Sequence, residues 1–235
     1  MTESAMTELV RYARIDTKLK REFVLLQGTG CVWKHCTFCD YHSDVSANPF
    51  EVNADVLAKV TGEYGVLDVI NSGSAMELDP ETLALLKFIV QSKRIRTLWF
   101  EAHYLYRGKL AAFAAQFPGV DVKFRCGVES FNPVRRKAWN KGIPENVTPQ
   151  DIAKYFKGAC ILACVAGQTP AEIRNDIETA KRYFEYFSVN VFCNNTTPVR
   201  RDPELVRWFV REMLPEIKDD GRIEVLLENT DLGVG

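Results

Sequence analysis

The chain has 235 residues, enough for one α/β domain with a sizeable core and too few for two comfortable ones. Hydrophobic residues make up 46% and charged residues 26% of it, the mix of an ordinary folded soluble protein. A formal net charge of −1 gives no basis for a nucleic-acid or anionic-membrane surface, and no apolar run reaches the roughly 18 residues of a membrane helix.

Met1 to Arg14 is acidic in places and lacks a continuous apolar core, so it does not read as a signal peptide and a cytoplasmic location is expected. Residues 1–20 are read as an N-terminal extension of a single domain spanning 1–235. The first strand is the apolar run Phe23 to Gln27, ended by Gly28 and Gly30. A helix around Asp55 to Glu63 and a strand at Val66 to Asn71 follow. Asp79-Pro80 then opens a helix whose Leu83, Leu86 and Val90 share one face. Arg96 to Glu101 is the third strand, and Lys109 to Phe117 the next helix. Val122 to Val128 alternates, with Lys123, Arg125, Gly127 and Glu129 on the face that should line a cavity. A strand at Ala159 to Val165, a helix through Ile173, Ile177, Ala180 and Phe184, and a strand at Ser188 to Cys193 continue the order. A helix from Asp202 to about Leu214 and a last apolar run, Ile223 to Leu227, complete it. Six strand-then-helix repeats imply a parallel sheet with right-handed crossovers. The expected fold is α/β, an open, partial (β/α)6 TIM-like barrel with ligands at the C-terminal ends of its strands.

Seven cysteines are unevenly placed: Cys31, Cys36 and Cys39 crowd one loop, while Cys126, Cys160, Cys164 and Cys193 sit in apolar stretches as free thiols. Three thiolates just past a strand end can hold three corners of a cubane cluster and leave its fourth iron open. The rival is a structural zinc site completed by His35 or His42, although no second ligand pair follows downstream.

The string GTGCVWKHCTFCD, Gly28 to Asp40, resembles the loop of the radical S-adenosylmethionine (SAM) superfamily, with four rather than three residues between the first two cysteines. That resemblance implies a 4Fe–4S cluster on Cys31, Cys36 and Cys39, whose open iron chelates SAM. One electron then releases a 5′-deoxyadenosyl radical. It also implies SAM contacts from Phe38, from Ser72-Gly73-Ser74, and from Glu101 in Glu101-Ala102-His103. Glu129 in the stretch Gly127 to Asn132, and Lys141 as a point charge for the SAM carboxylate, complete the implied set. Gly167-Gln168-Thr169 is similar to a further turn of the same branch.

Polar residues at strand ends remain for a substrate: Tyr41, His103, Arg125, Asn194, Asn195, Glu228, Asn229 and Asp231, with His42 beside them. Turn chemistry explains some of them equally well. Together they suit a small ligand rich in hydrogen-bond donors, such as a deazaguanine base whose N1–H and exocyclic amine pair with Glu228 or Asp231. Over its whole length, including WFEAHYLY and LLENTDLGVG, the chain resembles the queuine lyase subgroup of the superfamily. The resemblance implies cleavage of queuine to 7-aminomethyl-7-deazaguanine for queuosine salvage and tRNA modification. His103, Arg125 and Glu228 are the candidate catalytic residues, and a reductase, flavodoxin or ferredoxin is the implied electron donor. Three other readings stay open: a 7-carboxy-7-deazaguanine synthase-like enzyme, a glycyl-radical activase and a non-catalytic zinc-binding module.

Overall fold

The structure, a computed structural model, describes residues 9–235; residues 1–8 of the expected N-terminal extension lie outside the described residues. Eight strands form one sheet in chain order: β1 (Tyr12–Ile15), β2 (Arg21–Leu26), β3 (Val66–Asn71), β4 (Thr97–Glu101), β5 (Asp121–Glu129), β6 (Gly158–Ala163), β7 (Tyr186–Val191) and β8 (Ile223–Leu226). β1 is antiparallel to β2, and every later pairing is parallel. The open, partial barrel expected from the repeat is therefore present, with two strands the repeat did not include. The last apolar run is a seventh parallel strand, and part of the N-terminal extension is β1.

Helices cover the outer face, as right-handed crossovers require. They are α1 (Pro49–Leu57), α2 (Pro80–Ser92), α3 (Leu110–Ala114), α4 (Pro133–Ala138), α5 (Pro149–Ala153), α6 (Pro170–Tyr183), α7 (Pro203–Trp208) and α8 (Leu214–Ile217). Six of the eight start on a proline, whose fixed φ suits the first turn and whose missing N–H costs nothing there. α1 starts earlier than the apolar spacing suggested, because Pro49 sets its start, and Gly62 at φ +82° turns the chain beyond it. Pro215 cannot donate to the preceding turn, and α7 passes through a π-helical stretch, Phe209–Met213, before α8. Among the described residues, no helix is long and apolar enough to cross a membrane.

The main core lies between sheet and helices and includes Val24, Leu26, Leu67, Val69, Leu98, Phe100, Phe124, Cys126, Ile161, Phe187 and Val189. The inner face carries charge instead. Asp68 of β3 accepts Nε of Arg21 at 2.9 Å and also pairs with Arg125, while Arg21 reaches Glu224 on β8 at 3.3 Å. Glu224 in turn accepts the Tyr186 hydroxyl. A side chain on β2 touching one on β8 shows how far the sheet curls. Breaking such a buried network by removing one partner costs about 3–5 kcal/mol. The remaining gap is filled by the C-terminal residues: Leu232 and Val234 pack with Ile15, Phe23, Leu25 and Ile70. Val10 and Gly235 exchange backbone hydrogen bonds of 3.3 and 2.8 Å.

Candidate active site

Beyond β2 the chain enters the cysteine loop, where Gly30 at φ +100° takes a left-handed conformation just before Cys31. Cys31, Cys36 and Cys39 border one small cavity together with Lys34 and His42. Burial pushes the Cys36 thiol up to about 11 and raises that of Cys39, with Lys141 opposing both shifts. A metal that displaces the proton reverses this preference. Among the described residues, no three His, Cys, Asp or Glu side chains converge as the ligands of a single ion would. Three thiols spread around a cavity, with no fourth cysteine in it, fit a polynuclear iron–sulfur cluster with one open corner.

The loop is held from several sides. The buried Glu77 carboxylate accepts the N–H of Val32 (2.9 Å), the N–H of Ser74 (2.6 Å) and the hydroxyl of Tyr106 (2.9 Å). Its carbonyl accepts the N–H (2.8 Å) and hydroxyl (3.0 Å) of Thr29. Nothing in the sequence marked Glu77 beyond its place three residues after Ser74, the spacing of a capping box. A β-carbon at Gly73 would collide with the Glu77 carboxylate and stand 3.1 Å from Cys31 Cα, so only glycine fits there. Trp33 stacks on His103 with ring centroids 5.5 Å apart and donates to Asn140 O at 2.7 Å. On the other flank, Asn195 Nδ2 donates to Phe38 O at 2.7 Å, and Phe38 packs edge-on against Trp139.

Three strand ends meet beside this loop. Ser72 Oγ accepts Gly28 N–H at 3.1 Å, and Ser74 Oγ accepts His103 N–H at 3.0 Å, which pins the ends of β2, β3 and β4 together. Glu129 ends β5 at φ +66° and pairs with Lys141 at 2.9 Å. Asp176 of α6 holds the turn that follows, accepting Ser130 Oγ and Phe131 N–H at 2.7 Å each. Burial works against the Lys141 charge, but Glu129 and Cys36 outweigh it and its pKa is raised. The His103 ring contacts Lys141 O through Nε2 at 2.7 Å, and burial, helped by Lys141, lowers its pKa to about 4. His103 is therefore neutral near pH 7.

No protein-family model matches this sequence, and no curated protein matches it. Among solved structures, the chain is similar to a queuine lyase from Clostridium spiroforme bound to SAM and queuine. The two share 39% identity at a TM-score of 0.92, over 97% of this chain and 100% of that one. The chain belongs to the queuine lyase family of radical SAM enzymes.

In this radical SAM enzyme the expected site residues fall at two depths. Near the cysteine loop lie Phe38, Ser72, Gly73, Ser74, His103, Glu129 and Lys141, joined by the contacts above. Deeper, on the inner face, are Arg125 and Glu101. Arg125 is spent on Asp68, which keeps its guanidinium charged despite burial. Glu101 Oε1 accepts only the Cys160 thiol, at 3.4 Å, and burial raises its pKa against the pull of Arg125. Glycines make this floor possible: a β-carbon at Gly158 would stand 2.7 Å from Arg125 Cγ and 2.9 Å from Trp99. Gly127 likewise makes room for the Glu129–Lys141 pair, since a β-carbon there would stand 2.7 Å from Glu129 Oε1 and 3.0 Å from Lys141 Nζ.

The remaining expected residues lie at the rim. Glu228 is exposed and pairs with Arg201 at 2.9 Å, which lowers its pKa, and Cys193 donates to its other oxygen at 3.3 Å. Asp231 accepts the backbone N–H groups of Leu227 (2.6 Å) and Glu228 (3.0 Å). Asn194 accepts Arg201 N–H at 2.8 Å, Asn195 Oδ1 accepts Thr197 N–H at 3.0 Å, and Asn229 is exposed. Tyr41 is exposed and opens a single turn of 3-10 helix, with His42 bordering the cysteine cavity.

Proposed function

We propose that this enzyme cleaves the carbon–nitrogen bond joining the cyclopentenediol of queuine to its aminomethyl-deazaguanine, releasing 7-aminomethyl-7-deazaguanine for queuosine salvage. The observation that carries the proposal is the match to a queuine-bound lyase over essentially the full length of both chains. The site's chemistry agrees with it. Cys31, Cys36 and Cys39 would hold a 4Fe–4S cluster, the donor set their shared cavity provides. When bound, the cluster and SAM would supply a 5′-deoxyadenosyl radical, a species able to abstract a hydrogen atom.

The chain's own residues supply placement and charge. Gly73 leaves room for the Glu77 carboxylate and the Cys31 backbone beside the SAM site, and Lys141 presents an ammonium to the SAM carboxylate while Glu129 holds it in place. Phe38, with Lys141 Nζ 5.8 Å from its ring centroid, would meet the adenine through its backbone. Ser72 and Ser74 act through the backbone they pin. The electron comes from a reductase, flavodoxin or ferredoxin. The test is anaerobic turnover of the reconstituted protein with queuine, SAM and a reductant, followed by mass spectrometry. Formation of 7-aminomethyl-7-deazaguanine together with 5′-deoxyadenosine is expected; intact queuine alongside consumed SAM would defeat the assignment.

A further inference from the structure

We propose that Glu101 is the residue that reads the guanine-like edge of the substrate, accepting both its N1–H and its exocyclic amine, with Asn190 Oδ1 accepting a further donor of the same ligand. The inference rests on the queuine reading above and names the recognition group within it.

Three observations on the inner face of the barrel lead there. First, Glu101 is a carboxylate inside the barrel whose single partner is a weak donor, the Cys160 thiol. Ser188, beside Cys160 in the β6–β7 register, is within hydrogen-bonding reach of that sulfur. The thiol thus orients one carboxylate oxygen and leaves the other uncommitted. Second, Asn190, one inward-facing position further along β7, buries its Oδ1 without any partner. Asn190 Oδ1 is a buried acceptor without a donor, Glu101 keeps one oxygen free of any protein partner, and a ligand that brings donors to the inner face would satisfy both. Third, part-exposed apolar side chains lie at inward-facing positions of the same sheet: Leu25 and Ile70, paired on β2 and β3, and Leu226, paired with Asn190 across β7 and β8. A flat base with apolar faces and a donor-rich edge matches this combination of walls.

The family resemblance implies a SAM contact for Glu101, whereas its place on the inner face points to the substrate. The Glu101 backbone is level with Arg125, four residues before Glu129 on the neighbouring strand, and its carboxylate is turned to Cys160 of β6. The rim carboxylates that the sequence suggested for the base are committed elsewhere, Glu228 to Arg201 and Asp231 to two backbone N–H groups.

The test uses full-length, cluster-reconstituted enzyme with SAM present, and calorimetric titration with 7-aminomethyl-7-deazaguanine and with its analogue lacking the exocyclic amine. The wild type should prefer the guanine-type base by about 100-fold, the loss expected when the analogue leaves a charged acceptor without its donor. Glu101→Gln and Glu101→Ala should each reduce that preference to about fivefold or less without changing SAM affinity. If either variant keeps the wild-type preference, or loses SAM affinity with the preference intact, the inference is overturned and the lyase reading stands. If wild-type enzyme that binds SAM binds neither base, the lyase reading itself fails.

Discussion

Single residues here do work that their type alone does not announce. His103 is ordinary in sequence, but Trp33 lies over its ring and Lys141 O holds Nε2. Because burial and the Lys141 charge lower its pKa to about 4 from 6.5, it is a neutral hydrogen-bonding post and not an acid at neutral pH. The sign of its effect on stability follows: the unfolded ring takes a proton near pH 6.5 and the folded ring resists one. Its contribution is therefore complete above about pH 6.5 and is lost as the pH falls toward 4. Nitrogen-detected NMR of the ring in the apo protein should show a neutral imidazole down to about pH 5. A midpoint above pH 6 would contradict this environment.

At the scale of elements, strand ends and their turns build the site, and their legibility was uneven. The clustering of the three cysteines on one loop and the polar alternation of β5 were readable because each is a local constraint, whereas Gly73 was read for close approach of a ligand and in the fold makes room for Glu77. β1 escaped notice because YARI is short and half-buried, and becomes a strand only by pairing with β2. α4 and α5 also went unread, since five- and six-residue helices carry little periodicity. Glu77 was missed for a related reason. Its partners Val32 and Tyr106 are distant in the chain and meet it only in the fold. Arg125 was legible as inward-facing, but its partner Asp68 sits two strands away and no local pattern links them. Glu77→Ala should leave three donors without their acceptor, lowering stability by about 2–4 kcal/mol. Because one of the lost contacts, the Val32 N–H, holds the cysteine loop, iron retention after reconstitution should fall more than the melting temperature alone would suggest. Wild-type iron content in that variant would show that the loop is held by other means.

For the whole molecule, curling an open sheet creates an inner face with two characters. The floor is polar, tied from β2 to β8 through Arg21, Asp68, Arg125 and Glu224, while Leu232 and Val234 close the flank with apolar packing. The cysteine loop caps the other end. This arrangement sets the cysteine loop at one end of the inner face, and under the proposed reading the radical formed there takes its hydrogen from the cyclopentenediol ring. Turnover with queuine deuterated on its cyclopentenediol ring tests that claim most directly. The 5′-deoxyadenosine recovered should be one mass unit heavier, in step with release of the aminomethyl base. Unlabelled 5′-deoxyadenosine accumulating while the base is released would contradict hydrogen abstraction from that ring.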